Sequence, residues 1–260
     1  MINLKSPAEI DVIGRAGALV AEVLDLVAEH VLPGVSTAHL DRIAEERIRG
    51  VQGASPAFKG LYGFPATLCA SLNNEVVHGI PSDSRILESG DILSVDVGVR
   101  LDGYFADAAV TVPVGDVDPE VDRLLRVTSS ALVAGIREAR SGKRLGDIGE
   151  AIQVGVERAG FSVIRELVGH GVGSAAHEEP QVPNFGRSGR GLRLESGLVI
   201  AIEPMVNIGK RHIRTLEDGW TVVTADGSLS AHFEHTVAIS DEGPKVLTQI
   251  PVALLAKEER

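Results

Sequence analysis

A single cysteine, Cys69, stands in 260 residues, so the chain cannot form an internal disulfide, and a reducing, cytoplasmic setting is expected. Basic residues are also in deficit, 25 Lys and Arg against 36 Asp and Glu. The resulting charge of −11 argues against a nucleic-acid-binding face, because such binding depends on neutralising phosphates with cations. Long apolar runs are missing too. The most apolar early stretch, residues 16 to 32, contains Glu22, Asp25 and Glu29 and follows no basic segment. It reads as an amphipathic helix rather than a signal or a membrane span. Aromatics are scarce, six Phe, two Tyr and one Trp, so their placement carries more information than their number. Phe58, Tyr62 and Phe64 cluster before His78, Tyr104 and Phe105 lie between two aspartates, and Phe233 abuts Glu234. An apolar pocket beside an acidic site would explain that clustering, while ordinary strand cores account for about half of it. What is plentiful is apolar content, 44%, with no long polar tract. The chain is globular, with core enough for one large domain or two small ones.

Ser6-Pro7-Ala8-Glu9 is a capping box with proline in the first turn, so a helix begins there. Ile10, Ile13, Val20, Leu24, Val27 and Val31 give it one buried face, and Pro33-Gly34 stops it. A second helix is predicted from about Thr37 to Gly50–Gly53, followed by short strands around the Asn73-Asn74 turn signal. After Gly115 the order repeats. Asp118-Pro119 opens a helix bearing Leu124, Leu125, Ala131, Leu132 and Ile136, and Ser141-Gly142 ends it. Another helix runs from Leu145 to Gly160, with Ile148, Ala151, Ile152 and Val156 inward, before strand-like runs at 161–168, 198–203, 212–216, 220–223 and 233–239. Helix, glycine stop, helix, glycine stop, strands, taken twice, suggests an internal duplication. Two α+β halves facing one another would leave a cleft at their junction.

Residues 91 to 107, DILSVDVGVRLDGYFAD, place Asp96 and Asp107 inside otherwise apolar strand-like runs joined by a turn signal. On one strand, side chains eleven residues apart would face opposite ways. A hairpin brings them together. If the loop is Leu101-Asp102, Asp96 lies opposite Asp107; if it is Asp102-Gly103, Asp107 lies opposite Gly98, one diagonal from Asp96. Either register puts both carboxylates on one face, roughly 5 to 8 Å apart at Cβ. Such a pair can decorate a solvated edge, but in a dry site it must be neutralised.

The second half holds three comparable positions. His170 lies among Gly169, Gly171 and Gly173, which let other groups approach; Glu203 follows LVIAI and precedes Pro204; Glu234 lies in the strand-like AHFEHTVAIS. Taken singly, each is an ordinary hydrogen-bonded or exposed side chain. Jointly, four carboxylates and one imidazole form a set of mainly hard oxygen donors for divalent cations. Two ions would cancel the four negative charges, whereas one would leave a dry site anionic. A pair about 3.5 to 4 Å apart can share a water, lower its pKa toward neutrality and stabilise a developing oxyanion, which is a hydrolytic site. His78 and His177 remain for hydrogen bonding to an intermediate or proton transfer to a leaving amine. His232 and His235 flank Glu234 as candidates to orient a ligand, and His30, His39 and His212 read as surface residues. GHGVGS at 169–174 fails the spacing of a phosphate loop, residues 186–191 read as a flexible basic surface loop, and Cys69 has no neighbouring base.

NEVVHGIP with His78, the DVG of Asp96, GYFAD with Asp107, GHGVG with His170, the following His177, IEP with Glu203 and HFEHT with Glu234 together resemble, in order, the motifs of type I methionine aminopeptidases. The resemblance covers about residues 4 to 248. It implies the α+β pita-bread fold of creatinase, prolidase and aminopeptidase P, two pseudo-twofold halves around a central curved antiparallel sheet. Residues 1–250 would form one catalytic domain with repeats of about 5–115 and 116–248, and 251–260 would be a tail. It implies removal of the initiator methionine from nascent polypeptides with a small second residue, at the ribosome or free of it, by a cytoplasmic monomer that binds neither nucleic acid nor membrane. Carried over, Asp96, Asp107, His170, Glu203 and Glu234 would hold two divalent ions (Mn, Fe, Co or Zn), with Asp107 and Glu234 bridging. Glu203 would also act as general base for the bridging water, His177 would stabilise the intermediate, and His78 would contact the scissile amide or relay its proton. Cys69, Trp220, Tyr62 and Phe64 would line the methionine pocket together with His78 and His177.

Several positions depart from the family pattern. Ala176 replaces a bulkier side chain, Leu61 and Phe64 fall where tyrosines are common, and His232 stands where Gln is frequent. The N-terminal extension of some relatives is expected to be absent. The alternatives are an Xaa-Pro peptidase of the same fold, which usually carries a further N-terminal domain for which no room is expected, and a non-catalytic pita-bread binding module. Such modules lose metal ligands, and here all five are present.

Overall fold

The computed structural model describes residues 2–249; the tail expected at 251–260 lies outside the described residues. The first helix, α1 (Pro7–Glu29), starts where its capping box dictates. Ser6 Oγ accepts from Glu9 N at 3.4 Å, and the Glu9 carboxylate accepts from Ser6 N at 2.8 Å. Its buried stripe includes Ile13, Val20, Leu24 and Val27, while Ile10 is only half-buried. Helix α2 (Thr37–Arg49) is capped by Ser36. In the second half, α3 (Pro119–Glu138) and α4 (Leu145–Arg158) follow, and Asp147 at the start of α4 accepts from Arg144 N at 2.7 Å.

Helix α1 packs across a long hairpin, Ile92–Leu101 with Tyr104–Pro113. Leu101 pairs with Tyr104 and Gly98 with Asp107, so the loop is Asp102-Gly103, the second of the two registers considered above. Both loop residues take positive φ, +49° and +91°, the geometry of the tight turn that matches strand twist. Strand Ile92–Leu101 is central to its sheet. Tyr104–Pro113 lies along one edge, and Leu68–Leu72 and Ala54–Pro56 share the other. A five-stranded antiparallel sheet in the second half runs in the order Gly243–Val246, His235–Ser240, Val199–Ile202, Gly169–Gly171, Glu178–Val182.

Two three-stranded ladders complete the pairing. One joins Ser230–His232, Met205–Asn207 and Ser162–Val163; the other joins Ile213–Thr215 and Val222–Thr224 to Glu75–Val77 of the first half. Among the described residues every ladder is antiparallel, and the two halves meet along the hairpin, where Glu234 N donates to Ala109 O at 2.9 Å. Of the strand expected over 161–168 only Ser162–Val163 forms. Glu234, expected inside a strand, sits in the break between Ser230–His232 and His235–Ser240. The segments 169–171, 178–182 and 205–207 are strands that periodicity does not reveal, because three to five residues give too little alternation to read. Among the described residues no helix is long and apolar enough to cross a membrane.

Candidate metal centre and active site

The hairpin register decides the floor of the cleft. Asp96 pairs with Cys69 on the adjacent strand, and Asp107 with Gly98, so strand alternation turns both acids and the thiol to one face. Gly98 is required there. A Cβ would lie 2.7 Å from Phe58 Cε1 and 2.9 Å from Ala57 Cβ, where the pocket wall packs. From the second half, strand Gly169–Gly171 brings His170, whose Nδ1 lies 2.9 Å from Gly171 O. That bond makes Nδ1 the donor and leaves the Nε2 lone pair facing the acids. Nε2 is 3.6 Å from Asp107 Oδ2 and 3.6 Å from Glu203 Oε1. The glycines beside His170 serve close approach, as their spacing suggested: a Cβ at Gly169 would strike Ala201 O and one at Gly171 would strike Glu179 O.

Ligand atoms of Asp107, His170 and Glu234 all lie within 4.8 Å of one another. Glu203 follows strand Val199–Ile202, and Asn184 Nδ2 donates to its carbonyl at 2.9 Å. Burial pushes Asp96 up to about 8, with Asp107 and Glu203 adding to the rise and His232 opposing it. Burial likewise pushes Glu203 up to about 8, and Glu234 is held well above the carboxylate range by burial and then by Asp107, Glu203 and Asp96. Among the described residues Asp96 Oδ1 is buried with no hydrogen-bond partner. Acids so crowded and so poorly partnered resist ionising on their own. Hard oxygens with one imidazole, drawn into mutual reach and short of donors, fit divalent cations.

A cavity of about 600 Å³ opens above this floor, lined by all eleven residues expected at the site. Phe64 meets Trp220 edge-on, with centroids 5.2 Å apart, and both pack with Phe58 and Cys69 into one apolar cluster. Burial keeps the Cys69 thiol protonated by raising it well above its usual value, so it serves as wall. Across the mouth, Tyr62 is 75% exposed, with φ +52°, and its ring stacks on His177 at 5.9 Å and 16°. His177 in turn meets His170 edge-on at 4.4 Å. Burial and then His232 and His177 lower His78 to about 4; His177 is lowered by desolvation and by His170 against the pull of Asp107. Both rings are therefore neutral near pH 7.

The remaining expectations divide. His232 is buried with Nε2 3.5 Å from Glu203 Oε2, so it faces that acid rather than its neighbour Glu234. His235 does not orient a ligand by its ring, because Nδ1 is 3.0 Å from Thr248 Oγ1. Tyr104 and Phe233 are not pocket residues. The Tyr104 hydroxyl donates to Glu9 Oε1 at 2.8 Å, and Phe233 is fully buried in the main core. Residues 186–191 do lie at the surface, but Ser188 Oγ and Gly189 N donate to Asp147 at 2.5 and 2.8 Å and anchor them to α4. Thr236 was not foreseen. Its hydroxyl lies 3.0 Å from Asp107 Oδ1 and 2.8 Å from Asp107 O, across the junction of the halves, and no local motif announces such a partner.

The profile of metallopeptidase family M24 matches residues 11–241, most of the chain and every candidate ligand. The chain belongs to metallopeptidase family M24. Within that family it is 55% identical to a methionine aminopeptidase of Clostridium perfringens, over 96% of this chain and 100% of that protein. It is 50% identical to methionine aminopeptidase 1 of Bacillus subtilis over the same shares. A solved methionine aminopeptidase of Thermotoga maritima superposes on this M24 chain with TM-score 0.94 at 44% identity, covering 96% of this chain and 100% of that one. An Xaa-Pro dipeptidase of Bacillus anthracis shares the fold at TM-score 0.75 and 21% identity, with 95% of this chain matching 62% of its length. The architecture is thus the pita-bread fold common to both groups.

Proposed function

We infer that this M24 peptidase hydrolyses the N-terminal methionine from nascent polypeptides with a small second residue, using divalent metal. One observation carries the reading. Four acids and an imidazole from both halves converge beneath a cavity walled by Cys69, Phe64 and Trp220, in a chain half identical to methionine aminopeptidases. A flexible thioether suits sulfur and ring edges better than it suits a polar site.

Asp96, Asp107, His170, Glu203 and Glu234 would hold the metal, and charge balance favours two divalent ions. Bound divalent ions supply Lewis acidity and a water acid enough to react near neutral pH. Glu203, ionised once cations offset the charge of its neighbours, takes the proton of the attacking water. His177, neutral and at the cleft edge, donates a hydrogen bond to the carbonyl oxygen as it gains negative charge. His78 contacts the scissile amide and passes a proton to the departing amine. Cys69, Trp220, Tyr62 and Phe64, with the two histidines, orient the methionine side chain. Mn, Fe, Co and Zn all suit this donor set. The halves, about 5–115 and 116–248, are read as repeats within one catalytic domain, and the enzyme as a cytoplasmic monomer meeting its substrates at or near the ribosome.

A peptide panel assayed after each metal is restored to chelator-treated protein tests the reading. Release of methionine from Met-Ala-Ser in a metal-dependent way is expected. Rapid cleavage before proline in peptides lacking methionine, with Met-Ala-Ser intact, would overturn it.

A further inference from the structure

The segment preceding α1 plays no part in the chemistry above, yet it buries a cation. Lys5 is 4% exposed, with Nζ 2.6 Å from Glu178 Oε2 and 2.8 Å from Asn3 O. An ammonium is buried only where a partner compensates its lost hydration. Here the partner is the residue that immediately follows His177.

The other oxygen of Glu178 accepts from Ser174 Oγ and Ala175 N, each at 3.2 Å, and Gly173 N donates to Ala175 O at 3.2 Å. Lys5 itself is tied down, since its N donates to Gly197 O at 2.7 Å. Gly173 makes way for the ammonium: a Cβ there would strike Lys5 Cε and lie 2.6 Å from Glu178 Oε1. The turn that presents His177 is thus folded around one carboxylate, and that carboxylate is locked by a lysine from a segment remote in sequence. Among the described residues the imidazole makes ring contacts with Tyr62 and His170 and no hydrogen bond, so its place is set by the main chain of this turn.

We propose that Lys5 is a positioning residue, an ammonium inserted behind the 173–178 turn that fixes the His177 ring over the carboxylate cleft. This rests on the role given to His177 above. Kinetics of Lys5→Met, His177→Ala and the double variant on Met-Ala-Ser, with metal affinity measured by calorimetry, separate the two claims. Lys5→Met is expected to lower kcat about tenfold, the scale of a slightly misplaced group, with KM and metal affinity unchanged. In the His177→Ala background it should cause no further loss, because residues acting through one another are not additive. Losses that multiply, or that fall on KM or metal affinity, would make Lys5 merely structural and overturn the proposal. Unchanged kcat in His177→Ala would instead remove the role of His177 itself. If Lys5→Met fails to fold because Glu178 is left buried alone, Lys5→Met/Glu178→Gln removes both charges. The same expectation and the same refutation apply to it.

Discussion

Asp107 shows how much depends on one side chain. It is 4% exposed, it faces His170, and Thr236 holds it from across the junction. Asp107→Asn keeps the shape and removes the charge, so metal-dependent turnover should be abolished even at saturating metal, with less metal bound per chain. Near-normal activity in that assay would contradict the ligand assignment. Trp220 acts on selection rather than rate. Its edge contact with Phe64 closes the apolar wall, so Trp220→Ala should reduce the preference for methionine over shorter side chains in paired kcat/KM measurements. Unchanged preference would place the pocket elsewhere. These acids were legible in the sequence because charge inside an apolar run demands a reason. His235 was misread because adjacency in sequence says nothing of which way a ring turns, and here it turns to Thr248.

At the scale of an element, the hairpin turn controls which carboxylate faces what. Asp102 and Gly103 both take positive φ, and only a two-residue loop of this kind sets Asp107 opposite Gly98. Gly103→Val forces a β-branched residue to φ near +91° and should cost about 1–3 kcal/mol in urea unfolding. A cost near zero would mean that the turn relaxes without strain. Composition predicted a turn here but left two registers open, since the pattern Leu-Asp-Gly satisfies both. The helices were clearer. Capping boxes, prolines in first turns and glycine stops act within one turn of chain, so α1 to α4 fall close to their predicted bounds. The expected runs at 198–203, 212–216, 220–223 and 233–239 do hold strands, whereas 169–171, 178–182 and 205–207 were not legible, because so few residues show no alternation until a partner strand pairs with them.

Across the whole molecule, acids from both halves meet at a common point, so the protein's stability should depend on what neutralises them. Without cations, burial holds Asp96 and Glu203 at about 8, above their unfolded values, so between those values the folded state binds more protons than the unfolded one. Their contribution is present in acid and lost as pH rises toward 8. Histidines whose values are lowered by burial, His78 and His235 at about 4, act in the opposite sense but only up to their ordinary value of 6.5. Between pH 6.5 and 8 the acids act without that opposition, so in chelator Tm should fall with rising pH over that window. Added divalent metal should raise Tm and reverse the slope, because ions bind the ionised acids of the folded state. A Tm in chelator that is flat or rising from pH 6.5 to 8 would show that the cluster is solvated rather than buried.

By itself the sequence determined the helices, the candidate ligands and the family motifs. Each is written either in local chain chemistry or in residues whose setting is improbable without a purpose. Only the tertiary structure decided the hairpin register, the side on which His232 and His235 act, the Thr236 support of Asp107 and the burial of Lys5 behind His177. The Thr236 and Lys5 contacts join segments 129 and 173 residues apart in the chain, and even the nearer pairings are out of reach of one-dimensional periodicity, which records which face of an element is apolar but not what that face, or its polar opposite, will meet.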